Sequence, residues 1–221
     1  MKNKTTLLLT ALFISLLVTT STMGQGRFSI APTFSPSYQH LNWVLKYENA
    51  DAAKGSESTT GISVGLTASY AFTPKWSLSA GFLYNRSSGD RHFDNFIDPA
   101  STQSYQYKNW QLPLLLNYIP STHRLSPYFS AGLLANHSFL VTNTNTMHSS
   151  YNKIDNGLTY TFSLYGMVGM GVQYRVTPKL ALIVQPTAAY RINPPSGSYS
   201  FAYSPWNEYL LGLQTQVKFT F

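Results

Sequence analysis

The residues best able to do acid–base chemistry in this chain are its five histidines, His40, His92, His123, His137 and His148, for there is no cysteine. Two of them stand beside serine, in "NHSF" (136–139) and "MHSS" (147–150). A serine nucleophile needs a base within hydrogen-bond reach, and the base needs a third group to orient it. Adjacency in the chain supplies neither, and hydroxyl residues are abundant around both motifs, so coincidence is the better reading. "GDRHFDNFID" (89–98) carries Asp90, His92, Asp94 and Asp98, oxygen and nitrogen ligands at intervals that suit a cation. It lacks the glycine and the distal glutamate of a calcium loop, so a solvated loop is expected, with cations bridging anionic lipid as the alternative. No catalytic, cofactor-binding or metal residue is assigned.

The elements that must position these residues are strands. "RFSIAPTFS" (27–35), "GISVGLTASYAF" (61–72), "WSLSAGFLYN" (76–85) and "NWQLPLLLNYI" (109–119) alternate large apolar with small polar residues. "PYFSAGLLAN" (127–136) does so least clearly; "YTFSLYGMVGMGVQYRV" (160–176), "LALIVQPTAAYRI" (180–192) and "YLLGLQTQVKFTF" (209–221) complete a set of eight. Period two is the signature of a strand with unlike faces.

The links between them alternate in length. "TPK" (73–75), "PSTHRLS" (120–126) and a second "TPK" (177–179) are short; 36–60, 86–106, 137–158 and 193–207 are long and polar. Short turns at one end and long loops at the other are the pattern of an antiparallel, eight-stranded transmembrane barrel with short periplasmic turns and long extracellular loops. Charge follows the same division. All eight acids, Glu48, Asp51, Glu57, Asp90, Asp94, Asp98, Asp155 and Glu208, fall in or beside the long links, whereas Lys75, Arg124 and Lys179 mark the short turns. Aromatics gather at two levels: Phe72, Trp76, Tyr118, Tyr174 and Phe219 toward the short turns, and Tyr84, Trp110, Tyr160, Tyr190 and Tyr209 toward the long links. These are expected to form the two girdles of a membrane barrel.

Composition agrees. The 221 residues are 15% aromatic but only 10% charged, far below the roughly 25% of soluble domains. Lys2 and Lys4 followed by "LLLTALFISLLV" (7–18) and "TTSTMG" read as a secretory signal peptide over 1–24, leaving a barrel domain over 25–221. The formal charge of +7 then falls to +5 with those two lysines removed, and no Lys/Arg run marks a nucleic-acid surface. Without cysteine, stability rests on packing and on the membrane.

Alternation alone does not say which face is the core. The polar face is built from Ser, Thr, Gly and Ala with Gln and a few cations, and it has no acid, unlike a water-facing sheet. Small residues also suit the narrow interior of an eight-stranded barrel, so the apolar face is expected to meet lipid. Arg175, Arg191 and Lys218 then point inward, either hydrated near the mouths or making the lumen attract anions, with Glu208 a candidate partner reaching down from its loop. Pro32, Pro113 and Pro186 remove ladder donors from a closed sheet, so bulges or locally opened pairing are expected there.

"NWQLPLLLNYIP", "SPYFSAGL", "LYGMVGMGVQYRVTPKLALIVQPTAAYRI" and "LGLQTQVKFTF" resemble the small outer-membrane β-barrel domain common in Bacteroidetes. The resemblance implies a monomeric barrel in the outer membrane, among lipopolysaccharide, inserted by the barrel-assembly machinery. In such families that machinery reads a C-terminal aromatic strand, which makes Phe219 and Phe221 the expected assembly signal. It implies no single activity: a structural or interaction-bearing role through the long loops, with a protein partner, is expected, and a lipid-modifying enzyme or a narrow pore is the alternative.

Overall fold

A computed structural model describes residues 28–47, 50–94, 102–147, 150–154, 160–193 and 202–221. Among these residues nine strands follow one another: β1 (Phe28–Tyr47), β2 (Ala50–Ala71), β3 (Trp76–Asp94), β4 (Thr102–Tyr118), β5 (Leu125–Met147), β6 (Ser150–Ile154), β7 (Tyr160–Arg175), β8 (Leu180–Arg191) and β9 (Ala202–Thr220). Neighbours pair antiparallel in the order β4-β3-β2-β1-β9-β8-β7-β5, and β4 pairs with β5, so the sheet closes. β6 and β7 both run against β5 and share one lane. The result is a closed barrel of eight lanes, with no free edge in which a backbone donor would be left to the bilayer.

The period-two faces fall as expected. Ile62, Val64, Leu66 and Tyr70 on β2, Leu112, Leu114 and Leu116 on β4, and Leu182 and Val184 on β8 are exposed, while Ser63, Thr67, Gln111, Asn117, Ile183 and Gln185 are buried. The apolar band on β2 runs from Ile62 to Tyr70, which matches the 9–11 residues of a membrane-spanning strand. β5 reads poorly because two of its inward residues, Tyr128 and Leu134, are large and apolar. They help fill the lumen, one in a cluster with Ile119 and Ile183, the other with Leu115, Tyr165, Met167, Ala189 and Leu210.

The long links are largely not loops. β1 and β2 stay paired from Phe28↔Tyr70 up to Tyr47↔Ala50, β3 and β4 up to His92↔Thr102, and β5 and β6 up to Met147↔Ser150. Strands of 20, 22 and 23 residues are about twice what a bilayer needs, so the barrel wall projects beyond its apolar band. The acids are accordingly inside strands: Asp51 and Glu57 in β2, Asp90 and Asp94 in β3, and Glu208 in β9. Glu57 and Glu208 are also buried on the inner face, which corrects the expectation of an acid-free lumen.

The prolines sit in gaps rather than bulges. The β1–β9 ladder skips from Ile30↔Phe219 to Thr33↔Gln216 at Pro32, and β3–β4 skips from Ala80↔Leu114 to Leu83↔Gln111 at Pro113. β7–β8 likewise skips from Gly169↔Thr187 to Val172↔Val184 at Pro186. Register is identical on the two sides of each gap, so a missing N–H opens the pairing locally without inserting a residue. The three short turns keep one end tight. Thr73 Oγ1 accepts from Trp76 N at 2.9 Å, Thr177 Oγ1 accepts from Leu180 N at 3.0 Å, and Phe221 N donates to Phe28 O at 3.0 Å to finish the seam.

Candidate functional site

Among the described residues three groups of side chains carry chemistry. The first lies inside the upper lumen, where Glu208 of β9 receives Arg191 Nη1 from β8 at 2.6 Å. Tyr165 Oη from β7 and Gln39 Nε2 from β1 both donate to the other carboxylate oxygen. Arg191 Nε also donates to the Asn193 carbonyl at 3.1 Å. Four lanes are thus tied through one carboxylate in a dry setting, where an unpartnered charge would be costly. Below it, Asn85 Nδ2 donates to Ser63 Oγ at 2.9 Å, Ser63 Oγ donates to Gln111 Oε1 at 2.8 Å, and Asn109 Nδ2 donates to Asn85 Oδ1 at 2.7 Å. The interior is therefore layered with hydrogen-bonded and apolar side chains, as a narrow eight-stranded barrel requires.

The second group lies on the outside, above the apolar band. His40 of β1 and Ser58 of β2 are register partners, with His40 Nδ1 and Ser58 Oγ 2.8 Å apart. His40 Nε2 lies 3.1 Å from Asn42 Oδ1, and the Tyr38 hydroxyl lies 3.1 Å from Ser58 Oγ. A tautomer that donates Nε2–H to Asn42 leaves Nδ1 to accept the serine proton, the connectivity of nucleophile, base and orienting group. A surface groove of about 470 Å³ runs beside it past Tyr38, Ser58, Thr60, Ser88, Asp90 and Gln106. No oxyanion hole accompanies it among the described residues, because the backbone N–H groups here lie in the plane of continuous ladders.

The third group sits one step higher than the aromatic belt on β3 and β4. Tyr84 and Trp110 are register partners with ring centroids 5.1 Å apart, and above them Arg86 is the register partner of Lys108. Both cations are exposed on the outer face, and their flanking register partners, Ile62 and Phe139, are uncharged.

Of the two serine–histidine motifs read from the sequence, the one within the described residues, His137 with Ser138, is not brought together. His137 faces outward and meets the Phe139 ring edge-on at 4.8 Å, while Ser138 is on the inner face, where its hydroxyl accepts from Asn136 Nδ2 at 2.9 Å. Adjacent residues of a strand point to opposite faces. His148 lies outside the described residues, as do the side chains of His92 and Asp94 and the whole of Asp98. Asp90 accepts from Ser104 Oγ at 2.6 Å, and among the described residues no metal-binding cluster forms. The His40–Ser58 contact went unread because the residues are 18 apart in the chain; extending the β1–β2 register upward is the signal that finds it.

Residues 20–194 match the family described as outer membrane protein beta-barrel domain. The chain belongs to this family. It is an outer-membrane barrel. No curated protein matches its sequence. Among solved structures it is similar to the outer membrane protein OprG of Pseudomonas aeruginosa, at 15% identity and a TM-score of 0.49, over 89% of this chain and 97% of that one. It is also similar to the outer membrane protease OmpT of Escherichia coli, at 9% identity and a TM-score of 0.46, over 90% and 98%. A third is Ail, the attachment invasion locus protein of Yersinia pestis, in complex with a heparin analogue, at 15% identity and a TM-score of 0.42, over 89% and 100%.

Proposed function

We propose that the protein is a non-enzymatic, monomeric outer-membrane barrel that works through its projecting wall, gripping outer-leaflet lipopolysaccharide at the wall's base and offering a polar face to a partner above. The Arg86–Lys108 pair carries this reading. Like charges directly opposite on adjacent strands are destabilising, unless an anion lies between them. At the level just above an aromatic belt, the abundant anion is lipid phosphate, and two adjacent cations can share it. Phe219 and Phe221, exposed at the periplasmic end, fit the signal read by the barrel-assembly machinery. A filled lumen supports a structural rather than a conducting role. Barrel purified in mild detergent should carry tightly bound lipopolysaccharide, and the double variant Arg86→Ala, Lys108→Ala should lose it while remaining folded. Wild-type lipopolysaccharide in that variant overturns the reading, and single-channel steps in planar bilayers would favour a pore instead.

The His40–Ser58–Asn42 arrangement favours a second reading, a hydrolase acting on an ester at the outer bilayer surface. Lipid A released from cells with and without His40→Ala separates the two, since only the enzyme predicts a changed acylation pattern.

A further inference from the structure

The periplasmic mouth of the lumen holds a cavity of about 200 Å³ lined by Ser29, Gln173, Arg175, Ala181, Lys218 and Thr220, with Lys75 from a turn at its rim. Ala181 on β8 is the register partner of Arg175 on β7 and of Lys218 on β9, so two cations flank one small residue in a single inward-facing row. Three lanes of a sheet place the outer two about 10 Å apart at the backbone. The Ala181 methyl leaves the space between them open, and the cations face each other across it.

Among the described residues no acidic side chain answers them there. The acids of the described strands, Asp51, Glu57, Asp90, Asp94 and Glu208, all lie toward the other end. Arg175 spends one guanidinium nitrogen on the Thr122 carbonyl at 2.9 Å, which anchors it without neutralising it. Two cations and the hydroxyls of Ser29 and Thr220 around one cavity form a receptor for an oxyanion. The volume equals roughly six or seven waters in the liquid, room for a phosphate or a carboxylate with part of its hydration.

We propose that this mouth binds a small oxyanion, phosphate or carboxylate, between Arg175 and Lys218 above Ala181. The site opens to the periplasm, so its ligand is a free anion of that compartment or an anionic group borne on something larger there. It is independent of the lipid contact at Arg86 and Lys108, which lies at the opposite end of the barrel.

The test is calorimetric titration of the folded barrel, in an uncharged detergent, with inorganic phosphate and separately with acetate. Saturable heat from either probe that weakens with added salt is expected, and the two probes show which oxyanion chemistry is preferred. Lys218→Met and Arg175→Met should each weaken binding by about tenfold or more, the scale of losing one partner of a desolvated charge contact. Ala181→Leu should abolish binding while keeping both charges, because it fills the space. Lys179→Met, a cation outside the cavity lining, is the control. Failure to saturate, equal loss in the Lys179→Met control, or unchanged binding in Lys218→Met overturns the proposal, with folding of each variant verified by heat-modifiable migration.

Discussion

Arg191 and Glu208, one position beyond the last registered pair of β8 and β9, meet at 2.6 Å inside the barrel with 4% of each side chain exposed. Tyr165 and Gln39 complete the carboxylate's shell. Removing one partner leaves a buried charge, so Glu208→Ala or Arg191→Ala is expected to destabilise the barrel by about 3–5 kcal/mol. The double change to apolar residues of similar size should cost far less than the sum. Urea unfolding in micelles measures both, and additive losses would mean that the pair acts as two separate charges.

The seam at the short-turn end predicts a different phenotype. Phe221 N bonds to Phe28 O, and the two rings stack with centroids 6.4 Å apart. Phe221→Ser should lower the amount of barrel assembled in the membrane, and the ring contact itself is worth only about 0.5–1.5 kcal/mol. A large assembly defect with a small stability change in refolded protein identifies recognition; matched defects identify packing alone.

Two glycines of β7 should respond oppositely to the same substitution. A Cβ on Gly171 would overlap the backbone carbonyl of Val184, whereas one on Gly166 would meet only the Ile192 side chain at 3.7 Å. Gly171→Ala is expected to cost about 1–3 kcal/mol or to block folding, as overpacking does. Gly166→Ala should fold like the parent by heat-modifiable migration.

Depth on the lipid face can be probed at Leu66, which is 57% exposed in the middle of the β2 band. Leu66→Arg should destabilise the protein in bilayers by about 2–4 kcal/mol. Ser58→Arg, above the band on the same strand, should be near neutral. Equal costs would place the bilayer elsewhere along the wall.

The membrane half of the fold was legible in the sequence because its two faces differ chemically: Ile62, Val64 and Leu66 alternate with Ser63 and Gly65. Where the wall rises out of the bilayer that contrast vanishes. Ser56, Glu57, Ser58, Thr59 and Thr60 are polar on both faces, so strand residues looked like loop, and the apparent absence of strand acids followed from the same loss of signal. Glu208, beside Asn207 at the top of β9, was seen as a loop carboxylate reaching down, though it is a strand residue pointing in. The sequence offers Glu208 as a partner for the inward cations, but which of Arg175, Arg191 and Lys218 it meets depends on the β8–β9 register. The cross-strand neighbours His40–Ser58 and Arg86–Lys108 depend on register, which composition does not encode.

The β1–β2 ladder, unbroken in register from Phe28↔Tyr70 to Leu45↔Ala53, also has a mechanical consequence. A flexible loop absorbs a tug by extending before any strain reaches its anchor. A hydrogen-bonded wall has no such slack, so a load applied at the outer rim passes straight down the strands into the bilayer. A pull on that rim is therefore a pull on the membrane itself.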